Sequence, residues 1–359
     1  MSNPLPACPF KASFQVSRAL NKDEYVAKTV ESIQQCVNYW AKANIDIAAY
    51  NTTESANDIE DLRRAVRASK ISLWGISYGS HLAFEYVRLY DRNIDRMVLA
   101  SLEGPDETIK FPAQTEKFID EICSRANDNY GYQPRYPALK RVITDVHNGL
   151  KNKPVICLLK NKQGKVDSIG ISNFELQATI ATFYLKNPSD QKKLPKLYLE
   201  MSKGDFARVA PSVAIMKRYV LNRVDPMPFS MDMQSNISPK RNAIVKSQLD
   251  KTVLGSAINF LSYDWMNTIQ FPRLPDEFRV LKTNNVKTLL LSGTLDGRTY
   301  GSSAVAIAKS FRKGKLVVID NAGHDLFMQS PVIGELILSF FKGNPVQEEK
   351  ITIKPTPFE

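Results

Sequence analysis

A chain of 359 residues, 43% hydrophobic and 24% charged, is long enough to bury a large core and has the composition of a folded globular protein. No apolar run approaches the roughly eighteen residues a membrane span needs. The net charge of +11 is scattered, without a block of five basic residues, so no nucleic-acid partner is expected. The first stretch, MSNPLPACPFKASFQ, has no basic start followed by an apolar block and does not read as a signal peptide. Residues 22 to 42 carry Val26, Val30, Ile33, Val37 and Trp40, a spacing that predicts a helix with one apolar stripe. A second helix is expected over about 55 to 68, opened by Ser55 with Asp58 three residues on, and turning Ile59, Leu62 and Val66 inward.

KISLWG then reads as a short buried strand, Leu82, Ala83, Tyr86, Val87 and Leu89 as a helix, and IDRMVLAS as a second buried strand. Strand, tight turn, helix and strand make one βαβ unit, which implies a parallel sheet. From 107 to 281 the periodicity weakens and turn clusters such as NPSDQKK and VDPMPF interrupt, predicting an inserted cap of mostly helical character. The cap holds 26 basic and 17 acidic residues, +9 of the total +11, which leaves +2 for the rest. That excess suggests substrates bearing carboxylates. Two further strands, VKTLLLSGTLDG (286 to 297) and KLVVIDNAGHD (315 to 325), flank the helical SSAVAIAKSF, and a last amphipathic helix follows Pro331. The polar tail after Lys342 is expected to be poorly ordered. The division is thus 1–106 for the first half of an α/β core, 107–281 for the cap, and 282–359 for the second half.

Gly75-Ile76-Ser77-Tyr78-Gly79 sits where the first strand enters its helix, the context of a nucleophile elbow. In a turn that tight a side chain at Gly75 or Gly79 would meet neighbouring backbone, and Ser77 is lifted clear of the sheet. The helix N-terminus beneath it offers the Tyr78 N–H to a developing oxyanion. A serine needs a base, and the base an acid to fix its tautomer. Of three histidines, His81 lies on the same helix as Ser77 and His147 lies in the cap, where solvent exposure is the default. His324, in NAGHD beyond a strand end, remains as the base, and Asp296, in SGTLDGRT at the end of the preceding strand, as the acid. The order Ser77, Asp296, His324 matches the α/β-hydrolase arrangement. No cofactor or metal is implied: the four cysteines, Cys8, Cys36, Cys123 and Cys157, form no C-x-x-C pair and have no histidine at ligand spacing.

The stretches WGISYGSHLAFEYVRLY, AAYNTTESANDIEDLRRAV, LSGTLDGRT and DNAGHD resemble the tripeptidyl aminopeptidase-like branch of the α/β-hydrolases, relatives of prolyl aminopeptidase, over residues 4 to about 340. The resemblance implies an α/β-hydrolase fold with a cap over Ser77, a Ser77–His324–Asp296 triad, a Cys8–Cys36 disulfide and action outside the cytoplasm. It also implies a carboxylate in the cap that holds a substrate amine, with Glu175, Glu200, Asp205, Asp232 and Asp264 as candidates. Cap aromatics Phe174, Phe183, Tyr184, Tyr198, Tyr219, Phe229, Tyr263 and Trp265 are expected mainly to pack its core. This chain departs from the family pattern at the front: it begins at Met1-Ser2-Asn3 without the N-terminal strands and the His-Gly-Gly-Pro-Gly-like loop. The expectation is an N-terminally truncated chain lacking the second oxyanion donor, at about 3 to 4 kcal/mol in the barrier. The expected function is an aminopeptidase releasing proline or short peptides through an acyl-enzyme, the alternatives being a small-ester carboxylesterase and a catalytically impaired hydrolase fold. The expected partner is a small peptide or ester substrate.

Overall fold

The computed structural model describes residues 6–128, 136, 138–160, 164, 166–221, 224–259 and 261–359; the Met1-Ser2-Asn3 start lies outside them. Helix α1 (Lys22–Lys42) begins at a capping box, in which Asn21 accepts from the Glu24 N–H and Glu24 from the Asn21 N–H. Its buried face is Tyr25, Thr29, Ser32, Ile33, Cys36 and Trp40, so only Ile33 and Trp40 of the expected stripe are fully buried. The reason is polar pairing along that face. The N-terminal segment crosses there, Ser32 Oγ donates to Phe10 O and Trp40 Nε1 to Pro6 O, and a disulfide joins Cys8 to Cys36.

Helix α2 (Thr52–Ala65) starts earlier than expected, capped by Asn51 rather than Ser55, and buries Thr52, Ala56 and Glu60. Leu62 and Val66, expected inside, are 63% and 62% exposed. Glu60 explains the rotation. Its carboxylate accepts from Arg63, Tyr86, Asn93 and Arg64, and the Arg63 hydrogen bond in particular holds it down to about 2 against the cost of burial. A carboxylate with that many partners is more stable turned towards the neighbouring helix than replaced there by a leucine.

Strand β1 (Ile71–Ser77), helix α3 (Tyr78–Tyr90) and strand β2 (Ile94–Leu102) form the expected βαβ unit, in parallel register from Ile71 opposite Ile94 to Ser77 opposite Leu102. The insertion follows with α4 (Pro112–Asp128) and α5 (Leu139–Asn152), then a β-hairpin that was not anticipated, β3 (Val155–Lys160) with β4 (Val166–Ile171). Helices α6 (Asn173–Phe183), α7 (Pro188–Gln191), α8 (Leu194–Ser202), α9 (Ala210–Ile215), α10 (Pro226–Ser235), α11 (Pro239–Gln248) and α12 (Ser262–Thr268) complete it. The central sheet then resumes with β5 (Lys287–Gly293), α13 (Gly301–Ala308), β6 (Gly314–Asp320), α14 (Pro331–Phe341) and β7 (Lys350–Thr352). Its order is β1-β2-β5-β6-β7, every pair parallel.

Alternate residues of these strands feed two cores. Val98, Ala100, Leu289, Leu291, Val317 and Ile319 pack on the α14 side, while Met97, Leu99 and Leu290 pack against Phe84, Ala304 and Ile307 of α3 and α13. Helices on both faces are what parallel strands of this apolarity require. The tail is ordered, contrary to expectation. Ile351 and Ile353 complete the α14 core, Asn321 Nδ2 donates to Ile353 O, and Phe358 reaches the core of the cap. Among the described residues, no helix is long and apolar enough to cross a membrane.

The Cys8–Cys36 bridge closes a loop of sequence separation 28. Cys36→Ser should therefore lower the unfolding free energy by about 3 to 4 kcal/mol. Urea denaturation under oxidising conditions reads this, and an unchanged midpoint would refute it.

Candidate active site

Ser77 ends β1 with φ 55° and ψ −121°, a left-handed conformation that a serine holds only under constraint. The constraint begins at Gly75, where an added Cβ would lie 2.6 Å from the Gly79 carbonyl oxygen and 3.1 Å from Leu99. Gly79 differs from expectation: a Cβ there would meet nothing within 4 Å, because the close approach uses its carbonyl and not its α-carbon. Ser80 then staples the turn to the next strand, its Oγ donating to Ser77 O (2.6 Å) and accepting from the Glu103 N–H (2.9 Å). Tyr78 is the first residue of α3, so its N–H has no intrahelical partner and points out at the helix N-terminus.

Asp296 follows β5 and is buried. Its Oδ1 accepts from the Arg298 and Thr299 N–H groups and its Oδ2 from the Thr299 hydroxyl. His324 follows β6, and its Nδ1 lies 3.0 Å from both Asp296 oxygens. Burial alone would raise the Asp296 carboxyl; His324 and Thr299 outweigh it and hold the group below the usual carboxylate range. A carboxylate on Nδ1 makes that nitrogen the donor of a neutral ring and leaves Nε2 free to accept a proton. The His324 loop is itself tied down: its N–H donates to Lys186 O, and its carbonyl accepts from Ser101 Oγ at 2.6 Å. The fold thus brings Asp296 and His324 into contact and sets Ser77 on the same strand-end rim. Among the described residues no hydrogen bond joins Ser77 Oγ to the His324 ring, and such bonds commonly tighten only once substrate is present.

The other two histidines are occupied. His81 bonds to Gly104 O and Ser235 Oγ. His147 is buried, not exposed as expected, between Asn173 and the Tyr198 hydroxyl, and burial lowers its pKa to about 4. The cap carboxylates also separate. Glu175 lies in a buried cluster with Lys217, at 2.8 Å, and the Tyr25 hydroxyl. Glu200 pairs with Arg208, Asp264 pairs with Lys22, and Asp205 accepts from the Ala207 N–H on the surface. Asp232 alone of the five approaches the elbow, where its charge acts on the Tyr78 phenol.

Two groups near the rim carried no sequence expectation. Glu103 directly follows β2, beside the register partner of Ser77, and Lys110 Nζ pairs with it at 2.8 Å. Burial would raise Glu103, but the charge and hydrogen bond of Lys110 outweigh it and keep the group below the usual range. Burial first, and then the charge of Glu103, pushes Asp232 up to about 7, with Lys110 and the Ser262 hydroxyl opposing. Strand-end placement was a legible signal for Glu103; nothing in the sequence distinguished Asp232. Most of the cap aromatics pack in its core as expected, although Tyr219 is exposed. Among the described residues, no cluster of His, Cys, Asp and Glu could hold a metal.

The parallel sheet, the strand-to-helix serine and the acid and histidine on succeeding strand ends define an α/β-hydrolase fold. A family model described as alpha/beta hydrolase fold matches residues 28–150. A second, described as TAP-like protein, matches residues 260–350, so the C-terminal part of the chain is similar to that narrower group. No curated protein matches in sequence. Similar solved structures include MGS-M2, an α/β hydrolase enzyme from a Medee basin deep-sea metagenome library, at 16% identity and TM-score 0.36, over 84% of this chain and 75% of that one. The esterase EaEST from Exiguobacterium antarcticum shares 15% identity at TM-score 0.35, over 83% and 76%. A thermophilic esterase from Thermogutta terrifontis shares 16% at TM-score 0.32, over 81% and 72%.

The geometry of the turn separates its two glycines. Gly75→Ala must push the Gly79 carbonyl away and should slow labelling of Ser77 by a fluorophosphonate about tenfold or more, equivalent to about 1.4 kcal/mol. Gly79→Ala should label at close to the wild-type rate, and equal losses in the two variants would overturn this reading of the elbow.

Proposed function

We propose that the chain is a serine hydrolase of aminopeptidase type. Ser77 Oγ attacks the scissile carbonyl while His324 Nε2 takes its proton, and Asp296 steadies the imidazolium that forms. The Tyr78 N–H receives the oxyanion. His324 then protonates the leaving amine, and water releases the acyl group from Ser77 by the same steps in reverse. The observation that carries the peptidase reading is Asp232, a half-buried acid beside Tyr78 with no cation at ion-pair distance among the described residues. Glu103 is already neutralised by Lys110, so Asp232 is the group left to hold a substrate α-ammonium. A neutral ester has no use for it.

Alanine and propionate p-nitrophenyl esters differ only in that ammonium. The wild type should prefer the alanine ester, and Asp232→Asn should reduce the preference by about ten- to a hundredfold, the value of one hydrogen bond to a charged group. A wild type with no preference would favour a plain esterase instead. A fluorophosphonate that fails to label the wild type, or labels Ser77→Ala equally, would sink the serine-hydrolase reading itself.

The preference should also depend on pH. With its pKa raised to about 7, Asp232 is neutral below that point and charged above it. The alanine-to-propionate ratio should rise as pH increases through about 7, then fall as the substrate amine deprotonates above about 8. Taking the ratio cancels whatever pH dependence the two substrates share, and a ratio flat from about pH 5.5 to about 9 by steady-state kinetics, a range that brackets these values, would refute the role of Asp232.

A further inference from the structure

A buried file of polar side chains runs from the Tyr78 hydroxyl into the core. Tyr78 Oη lies 2.9 Å from Thr52 Oγ1, Thr52 Oγ1 lies 3.3 Å from Ser235 Oγ, and Ser235 Oγ lies 3.2 Å from His81 Nε2. His81 Nδ1 is 3.2 Å from the Gly104 carbonyl oxygen. Thr52, His81 and Ser235 are buried, so the file is shielded from bulk water.

Its far end sets the direction of every proton in it. A carbonyl oxygen only accepts, so Nδ1 carries the hydrogen. Burial, with Lys110 in support and Glu103, Gly104 and Glu85 opposing, lowers the His81 pKa, so the ring is neutral and Nε2 is a bare acceptor. The one hydroxyl hydrogen of Ser235 must go to Nε2, which obliges Ser235 to accept from Thr52. Thr52 must then accept from Tyr78. The phenol O–H therefore points into the file, and its remaining lone pair faces away from it. Asp232, three residues before Ser235 on the same side of α10, acts on the phenol together with Glu103. A phenol in this state cannot donate to a substrate carbonyl, so the Tyr78 side chain adds nothing to the oxyanion site supplied by its own N–H.

We propose that the His81–Ser235–Thr52 file fixes the Tyr78 hydroxyl as a hydrogen-bond acceptor for the substrate's α-ammonium, so that Tyr78 and Asp232 jointly select acyl groups with a free amino terminus. This rests on the aminopeptidase reading above. His81 is a positioning residue in it, and Tyr78 makes the contact.

The alanine and propionate p-nitrophenyl esters test it. Tyr78→Phe should lower the alanine-to-propionate ratio of kcat/KM about tenfold, chiefly through KM for the alanine ester. His81→Leu should lower it as well, because nothing then orients the file. His81→Gln should restore it, since a side-chain amide can accept from Ser235 and donate to Gly104 O at once. If Asp232→Asn lowers the ratio and Tyr78→Phe does not, this inference fails while the aminopeptidase reading stands; if the wild type shows no preference, that reading fails first. A measurement independent of activity and of the folding of any variant is the ¹⁵N spectrum of histidine-labelled wild-type protein. Hydrogen on Nδ1 of His81 is the expected tautomer, and hydrogen on Nε2 would reverse the file and overturn the proposal.

Discussion

The clearance between residue 75 and the Gly79 carbonyl governs much of what surrounds the rim. With no Cβ at Gly75, the chain turns from β1 into α3 within a single residue, and Ser77 takes up the strain at positive φ, of order 1 to 3 kcal/mol. The Ser80 bridge from Ser77 O to the Glu103 N–H, and the packing of α3 on the sheet, hold that strain in place. The same turn aims the first N–H of α3 outward and rolls the helix so that His81 faces α10 and not the serine. One local constraint therefore orients a hydroxyl, a backbone donor and a buried histidine together.

The parts of this arrangement legible in the sequence are those that depend on position along a strand. Ser77, Asp296 and His324 each follow an apolar run of strand length, and parallel strands deliver such positions to one rim whatever lies between them in the chain. Surface orientation was less legible. Apolar spacing on α2 pointed Leu62 and Val66 inward, yet the helix rotated to satisfy Glu60, whose partners Tyr86 and Asn93 come from other elements. His147 reads as a solvated histidine until Asn173 and Tyr198, 26 and 51 residues away in sequence, close over it. The tail after Lys342 reads as disordered because it is polar; its order comes from β7 pairing with β6 and from Ile351 and Ile353 packing on the α14-side core, contacts that only the folded sheet provides.

Among the described residues β1 pairs with β2 alone, and Trp74 on β1 is 42% exposed with its ring edge-on to Phe327 at 5.9 Å. Parallel sheets are normally covered on both faces and blunted at their edges. Among the described residues, the strained turn is braced by β2, through the Ser80 bridge to the Glu103 N–H, and by α3 packed on the sheet.

Charge tells a different story at the rim from the one composition suggests. The cap carries most of the chain's positive excess, but much of that charge is engaged locally. Lys140 pairs with Glu116 and Asp120, Arg208 with Glu200, and Lys193 with Asp190. Beside Tyr78, Glu103 and Lys110 cancel, so the trio they form with Asp232 carries one negative charge once Asp232 ionises. Burial makes that charge costly when alone, which is the origin of its raised pKa, and under the proposed aminopeptidase reading a substrate ammonium would relieve the cost by supplying the missing partner. A site that is poorly solvated and short of one cation discriminates more sharply than an exposed carboxylate could, because an uncharged substrate leaves the acid unpaired in a low-dielectric setting. On that reading, selection by charge and the pH at which the selection sets in would be two expressions of the same half-buried group.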